Sequence, residues 1–131
     1  MVVADTHIII WNALSPEKLS KKARLVFDQA DESNGIIFCD ISLWEISMLM
    51  EKNRLVIDVS FLEFIDLLKM TVHYIFKPIS PGIADISAFL SPTINFDPAD
   101  RLISATSIYL DAPLITADKN ILRSKKVKSI W

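Results

Sequence analysis

The chain predicts an α/β protein with a mostly parallel sheet of about five strands flanked by helices. Short apolar runs, among them Val2–Ala4 and Ile36–Cys39, alternate with longer amphipathic segments. These runs lack polar alternation, as strands buried on both faces do. Four acidic residues, Asp5, Glu45, Asp100 and Asp118, recur where a strand pattern gives way to a helical one. In a parallel sheet such turns all lie at the carboxyl end of the strands, so residues distant in sequence converge on one patch.

Val2–Ala4, ending at Asp5, reads as the first strand. Residues 7–13 form a short helix with a bulky apolar face, broken at Ser15-Pro16. Residues 20–32 form an amphipathic helix. Ala23, Val26, Phe27 and Ala30 share one face, and Lys21, Lys22, Arg24 and Asp28 lie off it. After a turn, Ile36–Cys39 is the second strand. Residues 42–52 form a helix opened by Ser42-Leu43-Trp44-Glu45, and residues 60–71 another, with Phe61, Phe64, Ile65 and Leu68 on one side. Residues 73–79 hold a strand that Pro78 restricts to a short or edge position. Ser80-Pro81 starts a helix with Ile83, Ile86 and Leu90 inward. Asp97-Pro98 opens a helix to residue 110; residues 113–116 are a strand, 118–122 a short helix and 127–131 a last strand. There is no linker, low-complexity tract or repeat, so residues 1–131 are expected to form one domain.

The composition removes several classes of function. A length of 131 residues suffices for one core, and 51% hydrophobic residues is apolar enough to leave some surface for a partner. The net charge of -2 carries no global nucleic-acid signature, although a local basic edge can serve. Cys39 is the only cysteine, which excludes an internal disulfide and fits a reducing cytoplasm. No apolar run approaches the roughly 18 residues of a membrane helix, and no signal peptide is expected. Gly35 and Gly82 begin no phosphate-binding loop, so nucleotide cofactors are not expected.

Each acid has a structural explanation. Ser42-x-x-Glu45 fits a capping box, Asp97 before Pro98 fits an N-cap, Asp100 favours the positive end of its helix, and Asp5 and Asp118 could cap the helices after them. Capping, however, does not require the acids to gather at one sheet edge, and Ser, Thr or Asn serve it equally well. Carboxylates that converge repel one another unless a cation lies among them, and a hard divalent ion takes oxygen ligands. Bound there, Mg²⁺ or Mn²⁺ could activate water and steady phosphoryl oxygens, the chemistry of phosphodiester hydrolysis.

The segments Asp5-Thr6-His7-Ile8, Ser42-Leu43-Trp44-Glu45-Ile46, Asp97-Pro98-Ala99-Asp100-Arg101-Leu102-Ile103-Ser104-Ala105 and Leu114-Ile115-Thr116-Ala117-Asp118 resemble the successive motifs of the PIN-domain ribonucleases. The resemblance is closest to VapC-type toxins of type II toxin–antitoxin modules and covers essentially the whole chain, to Trp131. It implies a metal-dependent endoribonuclease, a homodimer held by a cognate antitoxin. It implies Asp5 and Asp100 as direct metal ligands, Glu45 completing coordination or orienting water, and Asp118 acting through water or a second ion. Asp97 matches a motif position, but its Pro98 favours capping. Thr6 and Thr116 could hold neighbouring carboxylates. Relatives often have histidine where this chain has Asn95, lysine where it has Leu49, and Gly-Arg-Leu where it has Asn53-Arg54-Leu55; these departures bear on substrate contacts, not on the acidic set.

Other residues divide between function and packing. His7 adjoins the acids but is expected to pack or cap, and His73 to be structural. Arg101 could pair with an acid or touch phosphate. Lys119, Arg123, Lys125, Lys126 and Lys128 form a basic run that could hold RNA or lie solvated. Trp11, Trp44 and Phe27 are expected in the core rather than as base-stacking platforms. The helix with Ile8, Ile9, Ile10 and Trp11 and the helix from Phe61 to Leu68 are candidate partner surfaces. The competing readings are a PIN-fold RNA-processing nuclease outside a toxin–antitoxin pair and a PIN-fold module that binds without cutting. An aspartyl phosphohydrolase needs a second acid two residues after the first, where this chain has His7, and a phosphoreceiver needs an acidic pair there.

Overall fold

A computed structural model describes residues 1–90, 94 and 97–131. Asn95 lies outside the described residues. The sheet has five strands: β1 (Val2–Ala4), β2 (Ile36–Cys39), β3 (Tyr74–Lys77), β4 (Leu114–Ile115) and β5 (Ser129–Ile130). Their spatial order is β3-β2-β1-β4-β5 and every neighbouring pair is parallel. Among the described residues, seven α-helices accompany them: α1 (Thr6–Leu14), α2 (Lys21–Asp31), α3 (Asp40–Glu51), α4 (Phe61–Thr71), α5 (Pro81–Ala88), α6 (Pro98–Leu110) and α7 (Lys119–Arg123). A turn of 3-10 helix, Pro16–Lys18, follows the break at Ser15. Pro78 follows β3 immediately, on the sheet edge.

Alternate strand residues feed two cores, one on each sheet face. Val2, Ala4, Ile36 and Phe38 pack with Ile8, Ile9, Phe27, Ile46, Phe64 and Leu68. Val3, Ile37, Cys39 and Leu114 pack on the opposite face with Ile83, Ile103 and Ile121. The period of two along each strand thus sorts β1 and β2 between two helical layers. Burial of Cys39 pushes its thiol up to about 12, which leaves it inert at neutral pH. Gly35 enters β2 at φ +90, where an added Cβ would meet the His73 carbonyl oxygen at 2.9 Å, so both backbone sign and space call for glycine.

The helix caps are local and conventional. Ser20, Ser60 and Ser80 each accept a hydrogen bond from the backbone N–H three residues ahead. The exception is α3. It starts at Asp40, two residues before the expected opening, with Cys39 as a cap that makes no side-chain bond. Ser42 and Glu45 are therefore not a capping box; they lie inside the helix, one turn apart on one face.

The strand order positions the site. From β1 the chain steps outward to β2 and β3, then crosses back to lay β4 and β5 on the other side. Reversal of this kind opens a crevice at the carboxyl ends of the central strands. Asp5 follows β1 and Thr116 follows β4, and these strands are paired in register, Ala4 opposite Ile115.

Candidate active site

Asp5 leaves β1 and caps α1. It is 6% exposed, its Oδ1 accepting from the Thr6 amide at 2.8 Å and its Oδ2 from Thr116 Oγ1 at 2.7 Å. Thr116 Oγ1 in turn accepts from the Asp118 amide at 3.0 Å. Asp118 caps α7, accepting from the amides of Asn120 and Ile121 at 2.8 and 3.1 Å. Asp97 caps α6 through Ala99 and Asp100, at 2.8 and 3.4 Å. Asp100 lies in the first turn of α6. Capping and convergence therefore coexist: the same carboxylates that close helix ends face one crevice.

Glu45 arrives from α3. Thr6 Oγ1 donates to Glu45 Oε1 and lies 2.8 Å from Ser42 Oγ. Thr6 has one hydroxyl proton, and an ionised Glu45 takes it, so Ser42 is the donor to Thr6. Ser42 is fully buried.

Asp5, Glu45, Asp97, Asp100 and Asp118 line one open cleft of about 300 Å³, together with His7, Trp11 and Ala117. Among the described residues, no lysine or arginine lines it. Burial pushes the Asp5 carboxyl above the ordinary carboxylate range, opposed by the Thr116 and Thr6 bonds and aided by Asp118. Burial pushes Glu45 up as well, opposed by the Thr6 bond and aided by Asp5 and Asp97. Desolvation leads in both cases, with carboxylate repulsion adding to it.

Such a donor set suits a hard divalent cation. Among the described residues, no three acids, histidines or cysteines converge tightly enough to clasp one ion between them. That arrangement fits Mg²⁺, which keeps several waters and takes one or two carboxylates directly, better than an ion needing a full protein cage.

Some expected residues stand elsewhere. Arg101 braces backbone: its guanidinium donates to the carbonyls of Ser87, Leu90 and Ile94 at 3.1, 2.7 and 3.2 Å. The basic run is exposed and lines no part of the cleft, and Lys128 pairs with Asp111 at 2.7 Å. Ile8, Ile9 and Ile10 of α1 are core residues. Trp44 is 57% exposed instead of buried, whereas Phe27 is core as expected. Leu49 is half-buried against the first core. Sequence reasoning missed Ser42, hidden by the capping-box pattern. His7 packs edge to face on Trp11, and Trp11 packs half-buried against the first core, as expected; both also line the cleft.

A family profile for the PIN domain matches residues 2–127, and the chain belongs to that family. It is similar to Ribonuclease VapC22 of Mycobacterium tuberculosis, 30% identical over 132 aligned residues covering 99% of this chain and 98% of that one. The fold is shared with VapBC2 from Rickettsia felis bound to a promoter DNA fragment, at a TM-score of 0.74 and 16% identity over 99% of this chain and 98% of that chain. It is shared too with a toxin–antitoxin complex from Klebsiella pneumoniae, at a TM-score of 0.65 and 18% identity over 97% and 95% of the two chains.

Proposed function

We propose that this chain is a divalent-metal-dependent endoribonuclease, the toxin of a type II toxin–antitoxin module. The observation that supports it most is the gathering of Asp5, Glu45, Asp97, Asp100 and Asp118 in one cleft at the carboxyl edge of the sheet. Its full-length similarity to a ribonuclease gives that cleft its chemistry.

In this reading Asp5 and Asp100 hold Mg²⁺ or Mn²⁺, Glu45 completes the site or orients water, and Asp118 acts through water or a second ion. The ion, when bound, supplies an activated water and charge stabilisation at phosphorus. The chain's own residues do the rest. Thr116 and the Thr6 amide fix both oxygens of Asp5, and Thr6, fed by Ser42, fixes Glu45. Fixed ligands keep the carboxylates aimed without the reorganisation that a mobile cluster would need. Thr6 and Thr116 are thus positioning residues, while Asp97 caps α6 at the cleft and Arg101 braces the start of that helix against the Ser87, Leu90 and Ile94 carbonyls.

The partner is an antitoxin, and the active form a homodimer in the cytoplasm. A groove of about 650 Å³ supports a protein partner; the end of α1, α2, residues 57–59 and α4 wall it. Leu67 lines it, and Leu62 and Met70 are exposed on the same helix, α4. Among the described residues, no helix is long and apolar enough to cross a membrane.

The test is cleavage of single-stranded RNA by purified protein and its Asp100→Asn variant, with Mg²⁺, Mn²⁺ or EDTA. Metal-dependent cutting lost in the variant is expected. Cutting that persists in EDTA, or in both Asp5→Asn and Asp100→Asn, would refute the reading.

A further inference from the structure

We propose that Trp11, with His7 beside it, forms a nucleobase subsite of the acidic cleft, where an unpaired base next to the reacting phosphate stacks on the indole. The proposal rests on the ribonuclease reading and adds to it the part of the substrate that the carboxylates cannot bind.

The placement is set by helix geometry. Asp5 caps α1, and His7 and Trp11 lie four residues apart, so they share one face of that helix. Ile9 lies on the opposite face, and Ile8 and Ile10 on its flanks, all three buried. His7 and Trp11 therefore line the cleft together with the acids. The indole is held from several sides. His7 meets it edge to face at 5.9 Å between ring centres, and Trp131 lies tilted against it at 6.0 Å. Lys18 Nζ stands 5.8 Å from the ring centre. A braced, half-buried ring offers a platform that needs little ordering when a base arrives.

The charge balance says why such a platform is needed. Among the described residues the cleft is lined by five carboxylates and by no lysine or arginine, a lining that does not attract a phosphate backbone without an ion. The basic run near the C-terminus lines no part of it. The net charge of -2 gives no long-range attraction either. Stacking does not depend on charge and tolerates any base, because every base has a π face. Metal chemistry alone has no use for an indole at the rim of the acids. Lys18 is exposed and flexible, and it can yield the ring face to a base while its ammonium moves to a flanking phosphate.

The experiment compares two fluorescein-labelled 12-nucleotide probes by anisotropy in Mg²⁺: oligoadenylate RNA and an abasic ribose–phosphate oligomer of the same length and charge. The Asp100→Asn protein is used so that the probe survives. It should bind the RNA about tenfold or more tightly than the abasic oligomer. Adding Trp11→Leu should remove that preference, and Trp11→Phe should keep most of it. Lys18→Gln should instead flatten the salt dependence of both probes. A preference retained in full by Trp11→Leu would overturn the subsite. So would equal binding of the two probes by the Asp100→Asn protein, a result that does not depend on how any Trp11 variant folds. The unsubstituted protein is assayed in parallel for Mg²⁺-dependent cutting. Cutting without base preference overturns the subsite and leaves the nuclease; neither cutting nor binding overturns both.

Discussion

Thr116 Oγ1 donates to Asp5 Oδ2 at 2.7 Å, a buried bond between groups 111 residues apart in sequence. It is possible because β1 and β4 are adjacent and in register, so the residues just beyond them face each other. The same hydroxyl accepts from the Asp118 amide, so one threonine links the ends of two strands and the start of α7. Thr116→Val keeps the shape and removes both bonds. It leaves Asp5 buried with one oxygen unsatisfied, at a cost of about 1–3 kcal/mol. Urea unfolding should show that loss, and RNA cleavage should fall with it. Thr116→Ser should recover most of both; a valine variant as stable and active as the parent would show that the bond positions nothing.

A second link of the same kind joins Ser42, Thr6 and Glu45. Thr6→Val should raise the Mn²⁺ concentration needed for half-maximal cleavage about tenfold, the scale on which outer partners of a metal ligand act. Ser42→Ala acts only through Thr6 and should do less. In the double variant, Ser42→Ala should add almost nothing to Thr6→Val, because the group it supports is already gone. Titrating Mn²⁺ into all three proteins by calorimetry checks this; additive effects would separate Ser42 from the site.

Arg101 makes a prediction about stability rather than chemistry. Its three guanidinium nitrogens each donate to a carbonyl, of Ser87, Ile94 and Leu90, tying the end of α5 to the start of α6. An ammonium lacks the fork that spans three acceptors. Arg101→Lys should therefore lose at least one charge-assisted bond, worth about 1.5–3 kcal/mol, measured by urea unfolding.

The strands and most helices were legible because their signals are local. Ile36–Cys39 is apolar throughout, Pro78 marks an edge, and Ser60, Ser80 and Asp97 announce helix starts. The convergence of Asp5, Glu45, Asp100 and Asp118 was legible too, since parallel strands put their following turns at one end. What sequence could not give depends on contacts between segments. Ser42 carries a capping pattern, yet α3 begins at Asp40, and the hydroxyl serves Thr6 instead. Arg101 sits among the motif acids, and its bonds to the Ser87, Leu90 and Ile94 carbonyls have no signal in the sequence. Trp11 and Phe27 look alike as aromatic residues on helices; both pack on the first core, but only Trp11 keeps an edge at the cleft while Phe27 is fully buried.

The raised Asp5 carboxyl gives a pH prediction for the metal-free protein. Its pKa lies above the unfolded value because burial outweighs the bonds from Thr116 and Thr6. A group shifted up in this way contributes stability below the unfolded pKa, and that contribution is lost as pH rises through the folded one. Glu45 is shifted in the same direction and adds to the effect. In EDTA, stability should therefore fall as pH rises from about 4 toward neutrality, wherever these two groups dominate the titration. Asp5→Asn removes one buried charge and should melt higher than the parent near neutral pH, with the difference closing toward about pH 4. Mg²⁺ should reverse the order. An ion at a hundred times its Kd adds about 2.7 kcal/mol to a protein that binds it and nothing to one that does not. Thermal melts of both proteins across pH, with EDTA and with saturating Mg²⁺, give the four curves needed. A parent protein indifferent to Mg²⁺ at neutral pH would remove Asp5 from the metal site.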